Sequence, residues 1–207
     1  MIKGLFAKFI AEKFEEILKK KGYAFFDRNK KYNLNIVGIR NKSHDSTKFD
    51  DTLLLIYRNK DLEWEVGSYE ITTEPGPAIL RKPINPKGTA VLVPGQYRGV
   101  YKIDTHGSKN RHTALCQRLG KVKVYRDTDK DGKPETTGVI EEGMFGINIH
   151  RHARLAEKEY VGGSSAGCQV FKDSREFSEF MDICNRSADI FDNSFTYTLI
   201  TEEELVT

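Results

Sequence analysis

Short runs of apolar and β-branched residues, each cut off by Gly, Pro, Asn or Asp, recur along most of this chain and dictate what it can fold into. Residues 32–40 (YNLNIVGIR) and 52–58 (TLLLIYR) are strand-like, and a turn at 59–61 leads into 62–72, where Trp64, Val66, Tyr69 and Ile71 stand among polar residues. The last two runs read as a hairpin. Residues 74–88 hold Pro75, Pro77, Pro83 and Pro86 with Gly76 and Gly88, a composition that excludes a central strand and predicts a loop. Strand pieces follow at 90–103 around Pro94-Gly95, at 113–119 and 121–125 around Gly120, and at 145–150, 169–171 and 195–200. Residues 104–112 and 151–165 are polar or irregular.

Helical spacing occurs in two places. In residues 1–21, Phe6, Phe9, Ile10, Phe14, Ile17 and Leu18 repeat with a helical period, and Gly22 follows as a C-terminal cap. The charges Lys8, Glu12, Lys13, Glu15 and Glu16 interrupt this stretch, so it reads as an amphipathic helix packed on the domain and not as a signal peptide. In residues 174–185, Phe177, Phe180, Met181 and Cys184 share one helical face behind a capping Ser174. The expected fold is therefore mainly β, sandwich- or barrel-like, with an N-terminal amphipathic helix and one later helix, α+β overall. We divide the chain into residues 1–89, a helix plus β segments packed on or belonging to the same domain, and residues 90–207, the region that carries the chemistry.

Composition narrows the function classes. The chain of 207 residues is 38% hydrophobic and 30% charged, with a net charge of +3. That is globular and mildly basic, compatible with an anionic partner such as cell wall. No basic face with interleaved aromatics argues for nucleic acid, and no apolar run is long enough for a membrane span. Cys116, Cys168 and Cys184 are odd in number and fit no zinc spacing, which leaves a free thiol. A zinc set of His106, His112 and Asp104 near Cys116 has no characteristic spacing.

The sharpest local feature is Ser164-Ser165-Ala166-Gly167-Cys168-Gln169-Val170. Small residues and Gly before a cysteine allow a tight turn that presents the sulfur and frees backbone N–H groups for an oxyanion. His150 ends an apolar strand upstream, and a thiol needs such a base to become a nucleophile near neutral pH. His152, two residues on, would share a face with His150 and either orient it or bind substrate.

These residues resemble the catalytic domain of the L,D-transpeptidase family. That family carries His-Gly on a strand and, after a loop, Ser-(His/Arg)-Gly-Cys-(Ile/Val)-Arg. Ile149-His150 stands in the first place, and Ser165, Gly167 and Cys168 match the second. Val93-Pro94-Gly95-Gln96-Tyr97 is loosely similar to the family's Thr-Pro-x-Gly-x-Phe segment, and a helix and a closing strand follow the cysteine as they do there. The resemblance covers roughly residues 90–200. It departs from the family at Arg151 in place of Gly, at Ala166 in place of His or Arg, and at Gln169-Val170 in place of (Ile/Val)-Arg. Arg151 is a candidate substitute for the missing positive charge, or else a solvated loop residue.

The resemblance implies acyl transfer on peptidoglycan stem peptides: Cys168 as nucleophile, His150 as base, Ser165 and Gly167 shaping the turn, and Arg151, His152 and Tyr97 contacting substrate. It implies no cofactor for catalysis. Transfer to an amine and hydrolysis both remain open, as does oligomeric state. A lytic member, such as a phage endolysin or virion-associated peptidase, suits a protein made without a signal peptide that acts at the wall or periplasm. A wall-binding or structural protein that kept the fold without turnover is the non-enzymatic alternative.

A second motif is Asp127-Thr128-Asp129-Lys130-Asp131-Gly132, the opening half of a calcium loop. Gly138 stands where a bidentate Glu is expected, so Glu135, Glu141 or Glu142 would complete a structural calcium shell formed with Asp127, Asp129 and Asp131.

Overall fold

The structure, a computed structural model, describes residues 1–108, 111–152 and 157–205. Residues 109–110 of the expected loop 104–112, and 153–156 of the expected irregular stretch 151–165, lie outside the described residues.

Strand outweighs helix, 38% against 22%, so the protein is mainly β, with helices near its start and later in the chain. In chain order the elements are β1 (Ile2–Lys3), α1 (Gly4–Lys20), β2 (Asn35–Arg40), β3 (Asp51–Arg58), β4 (Trp64–Thr72), α2 (Pro77–Arg81), β5 (Thr89–Leu92), β6 (Gly95–His106), β7 (His112–Gln117), β8 (Val122–Asp127), β9 (Ile140–Gly143), β10 (Ile149–Arg151), β11 (Gln169–Phe171), α3 (Ser174–Phe191) and β12 (Phe195–Thr201), followed by a 3-10 turn, Glu202–Leu205.

Nine strands form one mixed sheet in the order β1-β4-β11-β10-β7-β6-β12-β2-β3, and β3 also pairs with β4, which closes the sheet on itself. Strands from residues 1–89 and from 90–207 are hydrogen-bonded together within it. A smaller sheet, β5-β8-β9, lies beside it. Alternation along the strands buries both faces. Leu53, Leu55 and Tyr57 of β3, with Tyr69 and Ile71 of β4, enter the main core beside Phe177, Phe180, Met181 and Cys184 of α3. Leu54, Ile56, Trp64 and Val66, from the alternate positions, meet α1. Ala90, Leu92, Val122 and Val124 of the smaller sheet close the main core from its other side.

The helices differ from the sequence expectation in detail. α1 buries Ala7, Ala11, Phe14, Ile17 and Leu18, whereas Phe6 and Phe9, expected on the packed stripe, are each 61% exposed. The helix must come close to the sheet, and small alanines permit that approach. At its end, Gly22 takes φ +70 and donates to the Lys19 carbonyl, while Tyr23 N–H reaches Leu18, the two bonds of a Schellman stop. α3 is capped by Asp173, which accepts from Arg175 N, and not by Ser174. The proline-rich stretch 74–88 contains α2, with Pro77 in its first turn, where a missing N–H costs nothing.

Candidate active site

Ser165 builds the turn before Cys168. Its wholly buried hydroxyl donates to the Cys168 carbonyl (2.8 Å) and accepts from Gly167 N (3.1 Å). Gly167 adopts φ +113, and a Cβ there would stand 2.3 Å from the Ala90 carbonyl oxygen, so only glycine fits. Beyond the turn, Gln169 N donates to the Asn148 carbonyl (2.8 Å), and β11 runs parallel to β10 with His150 opposite Val170. Cys168 therefore directly precedes the strand that pairs with the strand of His150.

The thiol itself is held by backbone. Asn148 N donates to Cys168 Sγ (3.4 Å), and the S–H faces the Gly146 carbonyl (3.4 Å). Phe49, Val161 and Val170 pack around it. Burial pushes the thiol up to about 11, against the opposing pull of the Asn148 amide. Among the described residues no hydrogen bond joins Cys168 to His150.

His150 is buried, and its Nδ1 donates to the Arg151 carbonyl (2.7 Å). A carbonyl can only accept, so this bond fixes the neutral tautomer and leaves the Nε2 lone pair to act as base. The ring stacks on His106 at 3.9 Å, and His112 stands 5.9 Å away. Burial, then the neighbouring His106, depresses the His150 imidazolium to about 3. His106 is depressed to about 4, by burial and then by His112.

Asn148 links these groups. Its backbone amide reaches the sulfur, its side-chain NH₂ donates to His106 Nδ1 (2.9 Å), and its Oδ1 accepts from Gln117 N (2.8 Å). Gln117, almost fully buried, secures the segment in front of the thiol. Its Oε1 accepts from Phe145, Gly146 and Ile147 N–H, and its Nε2 donates to the Gly120 and Gly143 carbonyls. Gln117, Asn148 and the stacking role of His106 were not foreseen from the sequence. The only signal was a pair of histidines near the ends of two facing strand segments.

No protein-family model, curated protein or solved structure matches this chain.

The remaining sequence candidates are placed as follows. Arg151 holds His150 through its carbonyl. The Nδ1 of His152 lies 3.4 Å from the Phe171 carbonyl and its ring stands 6.1 Å from Phe49, whereas the ring neighbours of His150 are other histidines. Tyr97 is buried, with its hydroxyl on the Val93 (2.5 Å) and Lys123 (3.3 Å) carbonyls, so it ties β6 to the strand-β8 side of the molecule. Asp104 pairs with Arg118 (2.9 Å), and among the described residues no metal-holding group is gathered around His106 and His112. Asp127, Asp129, Asp131 and Glu135 lie at the end of β8 and in the loop after it; Glu141 pairs with Arg126 and is not part of that group.

A cavity of about 350 Å³ adjoins the Cys168 turn, lined by Ala166, Ala90, Phe145, Met144, Ile79 and Arg126 among others. The Arg126 guanidinium lies 4.8 Å over the Phe145 ring and bonds Glu141 and the Gly88 carbonyl. This is an apolar wall with one fixed cation, next to the segment that holds the thiol.

Proposed function

We propose that the protein carries out acyl transfer or hydrolysis on peptidoglycan stem peptides through a Cys168 thioester, with His150 as the base. The observation that carries this reading is the parallel pairing of β10 with β11, which sets the histidine strand beside the strand that follows Cys168. The Asn148 amide directed at the sulfur would favour its thiolate.

In this reaction the Cys168 S–H proton passes to His150 Nε2 and the sulfur attacks a peptide carbonyl carbon. The carbonyl oxygen becomes an oxyanion held by backbone N–H groups. The C–N bond breaks, and the imidazolium returns its proton to the leaving amine. Water or a second amine then attacks the thioester and releases the thiol, giving cleavage or a cross-link. The neutral thiol is parked against Gly146, so substrate must turn it toward His150 before transfer begins. The adjoining cavity, with Ile79, Met144 and Phe145 in its wall, has room for part of a peptide. No helix of the described residues is long and apolar enough to cross a membrane.

A specific observation favours a second reading, a wall-binding protein without turnover: the thiol bonds Asn148 and Gly146, and not His150. Incubating purified peptidoglycan with wild type and with Cys168→Ala, followed by mass analysis of the muropeptides, separates the two. New or lost stem-peptide bonds with wild type alone support catalysis. An unchanged muropeptide profile, with protein retained on the wall, supports binding.

A further inference from the structure

We infer that the segment joining β8 to β9 binds one hard divalent cation of the calcium class, through Asp127, Asp129, Asp131 and Glu135. Each of these four carboxylates commits one oxygen to a loop amide. Asp127 Oδ2 accepts from Glu135 N (3.0 Å) and Glu135 Oε2 from Thr128 N (3.2 Å). Asp129 Oδ1 accepts from Asp131 N (3.0 Å) and Asp131 Oδ1 from Lys133 N (2.7 Å). None of the four forms an ion pair among the described residues.

The deciding oxygen is Asp127 Oδ1. Asp127 is wholly buried at the end of β8, and this atom has no hydrogen-bond partner. A buried carboxylate oxygen without a donor is expensive, and a cation removes that cost.

The spacing suits calcium. Acids at alternate positions precede Gly132, which takes φ +90 and makes the sharp bend such a loop requires. The Lys133 carbonyl occupies the place that supplies a backbone oxygen in loops of this pattern. Among the described residues no three side chains are already gathered as a metal-holding group. Binding must therefore draw the free oxygens inward, which long, adaptable calcium–oxygen bonds tolerate better than the small octahedral shell of magnesium. Arg81 of α2 packs against Gly132, and Ser46 Oγ donates to the Gly132 carbonyl (2.8 Å). These contacts would transmit closure of the loop to α2.

The test is calorimetric titration of chelator-treated whole protein with calcium chloride, with thermal melts in parallel. One ion should bind per chain. The melting temperature should rise by about 5–10 °C at a hundredfold excess over Kd. The Asp129→Asn/Asp131→Asn double variant should keep the metal-free melt and lose both responses, and magnesium chloride should act more weakly. Absence of heat and of any melting shift in millimolar calcium overturns the inference, as does an undiminished response in the double variant. Both readouts are independent of peptidoglycan turnover.

Discussion

The imidazole rings of His150 and His106 lie 3.9 Å apart and within 17° of parallel, two neutral bases stacked face to face beside the strand that follows Cys168. Charging either ring places a cation against its neighbour in a poorly hydrated site. Burial, then His106, depresses His150 to about 3, and burial, then His112, depresses His106 to about 4.

A stability signature follows. Both folded-state values lie below the ordinary histidine value of about 6.5. As pH falls below about 6.5, the unfolded chain gains protons that the folded protein refuses. The stability these rings contribute is complete above that pH and is lost on acidification toward 4 and then 3. His150→Gln should make the decline shallower by up to about 1.4 kcal/mol per pH unit. Urea midpoints at pH 8, 6 and 5 for wild type and variant measure this, and parallel profiles would count against a buried neutral His150.

Cysteine labelling tests the resting state of the Cys168 thiol. With its thiol raised to about 11, Cys168 should react with iodoacetamide roughly a hundredfold more slowly at pH 7 than an ordinary cysteine. It should still react before Cys116 and Cys184, which are fully buried and also raised. The rate at Cys168 should climb between pH 9 and about 11. Rapid labelling at pH 6 would show that the thiolate is already paired with an imidazolium.

Gln117→Ala should be the most damaging single change near the site. It removes the partner of three amides and two carbonyls in a buried position. At about 1 kcal/mol or more for each group that water cannot reach, the loss is about 3 kcal/mol or more, a fall in Tm of about 6–12 °C. Thermal denaturation followed by circular dichroism decides this. A fall below about 2 °C would mean that water replaces the amide freely.

Gly167→Ala combines a left-handed backbone with a methyl group driven to 2.3 Å from the Ala90 carbonyl. Strain of about 1–3 kcal/mol should lower Tm and displace the turn. Cys168 should then label faster than in wild type at equal pH. A variant with wild-type melting and labelling would show that the turn relaxes without cost.

Much of the scaffold was legible from sequence because it depends on local pattern. The β3–β4 hairpin stood out because alternating residues supply two buried faces, and the Gly22 stop because its conformation is local. β9, with the sequence IEEG, escaped notice because it exists only through pairing with β8. β6 runs on through 104–106, expected as loop, because Asp104, Thr105 and His106 find partners on β7. At the site, Cys168 and His150 were visible through their spacing and their small neighbours. Asn148 and Gln117 were not, since their bonds reach 42 and 31 residues along the chain and leave no local periodicity.

The position of β12 in the large sheet has a consequence for how the protein is made. This strand lies between β6 and β2 and closes the ring that the β4–β11 pairing begins. On a translating ribosome the hairpins before it can form as they emerge, but the ring stays open until Thr201 has cleared the exit tunnel. Until then the bare borders of β2 and β6 are open to pairing with other nascent chains. Chaperone demand should therefore peak late in synthesis and end abruptly when the last strand docks.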